Sequence, residues 1–164
     1  MSASDAKPFG PVQRITAGAL DVGYIDIGPP GGRAVLLLHG WPYDIHSYAD
    51  VAPALAAAGY RVLVPYLRGY GVTRFLSDDA PRNGQQSVLA ADAIALMDAL
   101  GVGGAIVGGF DWGARTANVM AALWPERCRA MVSVGGYLIG SQAAGPLMIR
   151  RPRTSSGGRR RSPS

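Results

Sequence analysis

Several features that define whole classes of protein are missing from this chain of 164 residues. It has one cysteine, Cys128, so no internal disulfide can form, which favours a reducing compartment. No apolar run approaches the roughly 18 residues that a membrane span needs. The N-terminal sequence "MSASDAKPFGPVQR" lacks the apolar stretch of a signal peptide. We therefore expect a cytoplasmic protein with no membrane partner.

Acidic residues are absent from one part of the chain. The formal net charge is +5, but six of the sixteen basic residues lie in 150–164, which holds no acid. The rest of the chain has ten basic and eleven acidic residues and is nearly neutral, so no nucleic-acid partner is expected. The segment 146–164 is rich in Arg, Ser, Pro and Gly, and its lack of an apolar face predicts disorder. Residues 1–145 are left as the folded part.

Short apolar runs alternate regularly with helical patterns along this folded part. The runs are typical of strands buried on both faces, and the segments between them repeat apolar residues every three or four positions. The predicted strands are 12–16, 20–27, 34–38, 60–65, 105–109 and 130–134, and the predicted helices are about 48–58, 85–100 and 114–124. The first two strands are predicted to form a hairpin. The alternation predicts an α/β fold with a mostly parallel sheet and flanking helices.

A lone acid among glycines stands in "GGFDWGAR" (108–115). Asp111 comes between a predicted strand and a predicted helix, with Gly109 and Gly113 two residues to either side. A strand-to-helix elbow of this kind strains its central residue and presents the side chain at the carboxyl end of the sheet, where open α/β folds bind ligands. It would also place the Trp112 amide at a helix N-terminus, where it can stabilise negative charge. The alternative is an ordinary helix N-cap.

A second motif, "HGWP", follows a buried strand about seventy residues earlier. His39 and Gly40 end that strand, and the glycine permits close backbone approach. The amide of Trp41 is the natural second donor to a developing oxyanion, and Pro42 would fix the loop, in cis or trans. The alternative for this motif taken alone is a strand-ending turn with a structural histidine. Its spacing from Asp111 favours a nucleophile with an oxyanion hole.

The motifs "HGWP", "RGYG" (68–71) and "GGFDWGAR", in this order, resemble the α/β-hydrolase superfamily. They are most similar to the branch of epoxide hydrolases and haloalkane dehalogenases, whose nucleophile is Asp. The resemblance implies an α/β-hydrolase fold without cofactor or metal, in which Asp111 forms an alkyl-enzyme ester and a His-activated water hydrolyses it. It implies an oxyanion hole made by the amides of Trp41 and Trp112. The residues implied to support this site are His39, Gly40, Pro42, Gly109 and Gly113.

The substrate implied by this branch is a small molecule, either an epoxide or an alkyl halide. Haloalkane dehalogenases often carry Asn after "HG", so Trp41 at that position favours the epoxide hydrolases. Phe110 stands where relatives often have His. A haloalkane dehalogenase-like hydrolase and a non-catalytic interaction protein on the same scaffold remain as alternatives. A serine esterase lacks a serine elbow here, and a dinucleotide-binding module lacks the glycine fingerprint after its first strand.

The later members of the family's catalytic triad have no counterpart in these 164 residues. The superfamily order is nucleophile, acid, histidine, but His39 and His46 both precede Asp111, and Glu126 is the only acid after it. We therefore expect a catalytically incomplete, truncated fragment without the cap domain and the last strands. The strand at 130–134 would then be an exposed apolar edge and a site of self-association.

Overall fold

The computed structural model describes residues 9–136, which fold into one mixed sheet with helices on both faces. The strands are β1 (Gln13–Ala17), β2 (Leu20–Ile27), β3 (Ala34–Leu38), β4 (Arg61–Pro65), β5 (Arg74–Phe75), β6 (Ala105–Phe110) and β7 (Cys128–Val134). The helices are α1 (Val51–Ala57), α2 (Gln86–Ala99) and α3 (Trp112–Leu123), with 3₁₀ helices at Ile45–Tyr48 and Pro125–Arg127. The predicted tail 146–164, with its boundary after residue 145, lies outside the described residues.

The sheet has the order β1-β2-β4-β3-β6-β7, with β5 paired to β2. Strands β4, β3, β6 and β7 are mutually parallel neighbours. Strands β1 and β2 form the predicted antiparallel hairpin, and β2 also runs antiparallel to β4. The α/β class and the parallel sheet with flanking helices are therefore confirmed, with the antiparallel hairpin added at one side.

The first predicted helix, about 48–58, is divided in the structure. A 3₁₀ helix over Ile45–Tyr48 is capped by Asp44, whose side chain accepts a hydrogen bond from the His46 amide at 2.9 Å. Helix α1 then begins anew at Val51. Pro53 explains the division, because proline fits the first turn of a helix but clashes with the carbonyl four residues earlier inside a longer one.

The central strand β3 is buried on both sides, as its unbroken apolar run predicts. Leu36 and Leu38 pack into the cluster beneath α2 and α3, while Val35 and Leu37 pack into the cluster beneath α1. Successive side chains of a strand point to opposite faces, so a strand covered by helices on both faces needs apolar residues throughout. This packing fixes the strand end that carries "HGWP".

Strand β7 is the exception among the parallel strands. Its side chains are mostly exposed, with Val132 and Val134 each at 59% and Met131 at 42%. Among the strands of residues 9–136, it pairs with β6 alone. The predicted apolar edge is thus present in the structure.

None of the helices within residues 9–136 combines the length and the apolar character needed to cross a bilayer.

Candidate active site

The two chemistry-bearing motifs meet at the carboxyl ends of β3 and β6. These strands are parallel neighbours, with Leu38 opposite Gly109. From β3 the chain turns to β4 on one side, and it later returns to β6 on the other side. In open α/β sheets such a reversal leaves a crevice beyond the strand ends, and ligands bind there. His39–Pro42 follows β3 and Asp111 follows β6, so the topology brings both motifs to this crevice.

Asp111 occupies a strained elbow between β6 and α3. Its backbone has φ 51° and ψ −116°, and it is the one non-glycine residue with positive φ in the described part of the chain. Such conformations cost on the order of 1–3 kcal/mol and cluster at functional sites. Asp111 stands at the N-cap position of α3, but its side chain makes no capping hydrogen bond. Its Oδ1 instead accepts a hydrogen bond from the amide of Trp41 at 3.0 Å.

Three glycines around Asp111 are required by close backbone approach. A Cβ on Gly113 would overlap the carbonyl of Leu38, and one on Gly109 would overlap the backbone of Gly113. A Cβ on Gly40 would lie 2.7 Å from the Cβ of Asp111, well inside van der Waals contact. The small residues therefore allow α3, β3 and the "HGWP" loop to meet around one carboxylate.

The backbone amide of Trp41 contacts Asp111, and that of Trp112 lies in the first turn of the following helix. The Trp41 side chain is 66% exposed, while its N–H points to Asp111. Trp112 is the first residue of α3, so its N–H belongs to the turn whose amides have no acceptor within the helix. The peptide bond between Trp41 and Pro42 is cis. The Asp111 carboxylate is thus bound by the Trp41 amide at an elbow that directly precedes the first residue of α3.

His39 is a buried structural histidine in this crevice. Its side chain is fully buried; Nε2 accepts a hydrogen bond from the Leu67 amide at 3.2 Å, and Nδ1 lies 3.2 Å from the Gly40 carbonyl. The Tyr70 ring packs edge-on against it, with centroids 4.8 Å apart. Burial lowers the pKa of His39, which keeps the ring neutral. With both nitrogens occupied, this ring has no free position for activating water.

The other two candidates for triad partners lie in unsuitable places. His46 is exposed on its 3₁₀ helix, where its Nδ1 pairs with the Asp44 carboxylate at 3.0 Å. Glu126 is exposed just before β7 begins. Because β7 is parallel to β6, Glu126 lies at the amino edge of the sheet, opposite the edge that carries Asp111.

The "RGYG" loop supports the crevice from the side of β4. Arg68 donates to both carboxylate oxygens of Asp92 on α2, at 2.5 and 2.7 Å, and to the Asn83 carbonyl at 2.8 Å. This clamp holds the loop that places Tyr70 on the His39 ring. Burial raises the pKa of the Tyr70 hydroxyl, and the nearby negative charge of Asp111 adds to the rise.

Two cavities open near the elbow, and Phe110 lines both. The larger, about 740 Å³, is bounded by Pro42, Tyr43, Asp44, His46, Ser47 and Phe110. The other, about 380 Å³, is almost wholly apolar and lies on the α1 side of the sheet, between Leu37 and Val134. Phe110, the residue before the nucleophile candidate, thus forms an apolar wall of both cavities. No group of three or more potential metal ligands occurs within residues 9–136.

Sequence reasoning missed two backbone contacts of the site. The Leu67 amide holds His39, and the Val134 carbonyl accepts the Asp111 amide at 3.0 Å. Backbone groups are common to every residue, so no side-chain pattern could have identified them. A weak signal existed in the position of each, since Leu67 follows the predicted strand 60–65 and Val134 ends the predicted strand 130–134, and these strands neighbour β3 and β6.

Comparison with known proteins agrees with this geometry. A sequence model of the α/β hydrolase fold matches residues 33–157. A crystal structure of a candidate epoxide hydrolase from Klebsiella pneumoniae superposes with a TM-score of 0.80 at 61% identity, over 92% of this chain and 49% of that protein. Epoxide hydrolase A from Mycobacterium thermoresistibile gives 0.68 at 31% identity, over 76% of this chain and 38% of its own.

Epoxide hydrolase B of Mycobacterium tuberculosis is 37% identical over 126 residues, which are 74% of this chain and 35% of that protein. The chain therefore spans about half of these relatives' length or less. Since a family model covers most of its length and these relatives share its sequence, the chain belongs to the α/β-hydrolase fold family and is epoxide hydrolase-like within it.

Proposed function

We propose that Asp111 is the nucleophile of an epoxide hydrolase-like reaction. The single observation that carries this proposal is the Asp111 side chain, which is held by the Trp41 amide at 3.0 Å in a strained elbow instead of capping α3. A helix cap needs neither positive φ nor a partner on another loop. A nucleophile elbow has both, because its strained turn presents the side chain and an amide from another loop orients the carboxylate.

The two carboxylate oxygens then have different tasks. With Oδ1 bound to the Trp41 amide, Oδ2 attacks an epoxide carbon, the ring C–O bond breaks, and the released alkoxide takes a proton from water. The product is an alkyl ester of Asp111, with Oδ1 as its carbonyl oxygen. When water attacks that ester, negative charge develops on Oδ1, where the amides of Trp41 and Trp112 stabilise it.

Release of the ester requires a base, and the part of the chain that the structure describes, residues 9–136, places no histidine at the site that is free to act. His39 is buried with both ring nitrogens engaged, and His46 pairs with Asp44 on an exposed helix. Glu126 lies at the opposite edge of the sheet. We propose that the 164-residue chain, expressed alone, captures an epoxide at Asp111 and does not turn it over.

Intact-mass spectrometry after incubation with a reactive epoxide tests this proposal, with Asp111→Asn as the matched control. Epoxide opening adds the whole mass of the reagent, and the adduct should map to Asp111 and persist. An equal gain in Asp111→Asn would contradict the nucleophile assignment, while steady release of diol would contradict the missing base. Labelling by an alkyl halide adds only the alkyl group in place of a proton, and a preference for it would favour dehalogenase-like chemistry.

A further inference from the structure

The Gly40–Trp41 peptide is held at both of its polar ends. Its N–H donates to Asp111 Oδ1 at 3.0 Å, and its C=O lies 3.2 Å from Nδ1 of His39. In a planar trans peptide the N–H and the C=O point in opposite directions. A group that fixes the carbonyl on one side therefore aims the amide on the other.

The hydrogen bonds of His39 define which nitrogen carries its proton. The backbone N–H of Leu67 can only donate, so the nitrogen it contacts, Nε2, must be an acceptor. In a neutral imidazole the proton then resides on Nδ1, which donates to the Gly40 carbonyl. Full burial of the ring favours this neutral form.

These bonds form one continuous chain in which every donor points the same way. Leu67 N–H donates to His39, His39 donates to the Gly40 carbonyl, and the amide of that same peptide donates to Asp111. Bonds arranged head to tail polarise one another, which strengthens the last donor in the chain. The last donor here is the amide that contacts the proposed nucleophile.

We propose that His39, as the neutral Nδ1–H tautomer, is a positioning residue that orients the Gly40–Trp41 peptide toward Asp111. The inference deepens the proposed function and rests on it for one kinetic readout. The ring acts through the peptide and does not touch the carboxylate. The carboxyl end of β4 is thereby linked to the elbow after β6, across the end of β3.

The unchanged protein provides the first test, by ¹⁵N NMR of labelled histidine near neutral pH. The chain has two histidines, and His46→Gln identifies the signals of the exposed one. We expect His39 to show a protonated Nδ1 and an unprotonated Nε2. A protonated Nε2, or rapid exchange between the two tautomers, would overturn the proposal even where substitutions at His39 prevent folding.

Two substitutions separate positioning from packing. In His39→Asn the side-chain amide can replace Nδ1 as donor to Gly40, whereas in His39→Gln it can replace Nε2 as partner of Leu67 and leaves the Gly40 carbonyl without its donor. Both remove the ring from Tyr70, so both should lose stability alike. Amide hydrogen exchange at Trp41 should stay slow in His39→Asn and rise about tenfold in His39→Gln, as for the loss of one hydrogen bond. Equal exchange in the two variants would refute the positioning role.

The epoxide reaction adds a kinetic readout. The rate of mass gain at Asp111 should be at least about tenfold lower in His39→Gln than in His39→Asn, because a misdirected carboxylate loses its near-attack orientation. Equal labelling rates would argue against the proposal. Absence of labelling in every variant would reject Asp111 as a nucleophile, while Trp41 exchange and the His39 tautomer would still decide the positioning role.

Discussion

At the scale of single residues, the elbow depends on glycines, which have no side chain. The backbone of Asp111 is left-handed, and the helix that follows passes so close to β3 that Gly113 has no room for a Cβ beside the Leu38 carbonyl. Backbone carbonyls cannot rotate away as a flexible side chain can. The glycines of the motif are therefore a steric requirement of the approach between α3 and β3, and the strained backbone of Asp111 lies where the two elements meet.

Gly113→Ala is expected to lower the free energy of unfolding by at least about 2 kcal/mol, because the added methyl group forces α3 away from β3. Denaturant unfolding measures this change. Gly103→Ala is the matched control, since a Cβ at Gly103 meets nothing within 4 Å, and it should change stability by less than about 0.5 kcal/mol. Similar midpoints for the two variants would show that the elbow tolerates a wider separation than the structure has.

At the scale of elements, the loop between β4 and α2 is fixed by a charged clamp. The side chains of Arg68 and Asp92 are 10% and 18% exposed, and Arg68 also binds the Asn83 carbonyl. Phe75 lies beneath the Arg68 guanidinium, 5.5 Å from it to the ring centroid. A pair so shielded from water cannot lose one partner without leaving the other charge poorly solvated. The clamp holds the segment whose Tyr70 packs on His39.

Asp92→Asn should destabilise the protein by about 2 kcal/mol, because it removes the negative partner of a largely buried guanidinium. Asp78→Asn offers a comparison at a far more exposed pair, where Asp78 lies 3.9 Å from Arg82, and it should leave stability almost unchanged. Thermal or denaturant unfolding of both variants checks the difference. If Asp92→Asn were as mild as its control, the clamp would be dispensable for the loop.

At the scale of the whole molecule, the two ends of the sheet differ in how they are covered. Helices shield both faces of β3, but Val132 and Val134 of β7 border an open apolar cavity on the α1 side. Exposed apolar edges with free backbone groups pair with other chains. The 164-residue chain should therefore associate with itself through β7 as its concentration rises.

Val132→Lys should reduce this self-association, because a charged side chain on an edge strand opposes pairing. Sedimentation velocity over a range of protein concentrations measures it. Leu123→Lys serves as the control, since Leu123 at the end of α3 is as exposed as Val132, at 59% each, but lies on a helix. A chain that stays monomeric before substitution, or an equal effect of both lysines, would contradict the role of β7.

Much of the architecture could be read from local patterns. The apolar runs of β3, β4 and β6 predicted their strands because burial on both faces requires such runs. Strand β5 was missed because two residues carry no periodicity, and Arg74–Phe75 is a strand only through its pairing with β2. Apolar spacing alone predicts one helix over about 48–58, whereas the sterics of Pro53 divide this segment into a 3₁₀ helix and α1.

The candidate site, like the fold, could be predicted from the sequence only in part. The sequence alone identified the candidate residues and their spacing. A tight elbow requires small residues around Asp111, and a loop that approaches it closely requires the glycine after His39, so both can be recognised in the sequence. Only the tertiary structure decided that Asp111 accepts from the Trp41 amide instead of capping α3, and that His39 links Leu67 to the Gly40 carbonyl. Each of these contacts joins a side chain to a backbone group, and every residue offers the same backbone groups. Strands β3, β4 and β6 are far apart in the chain, so only their packing side by side selects which groups come into contact.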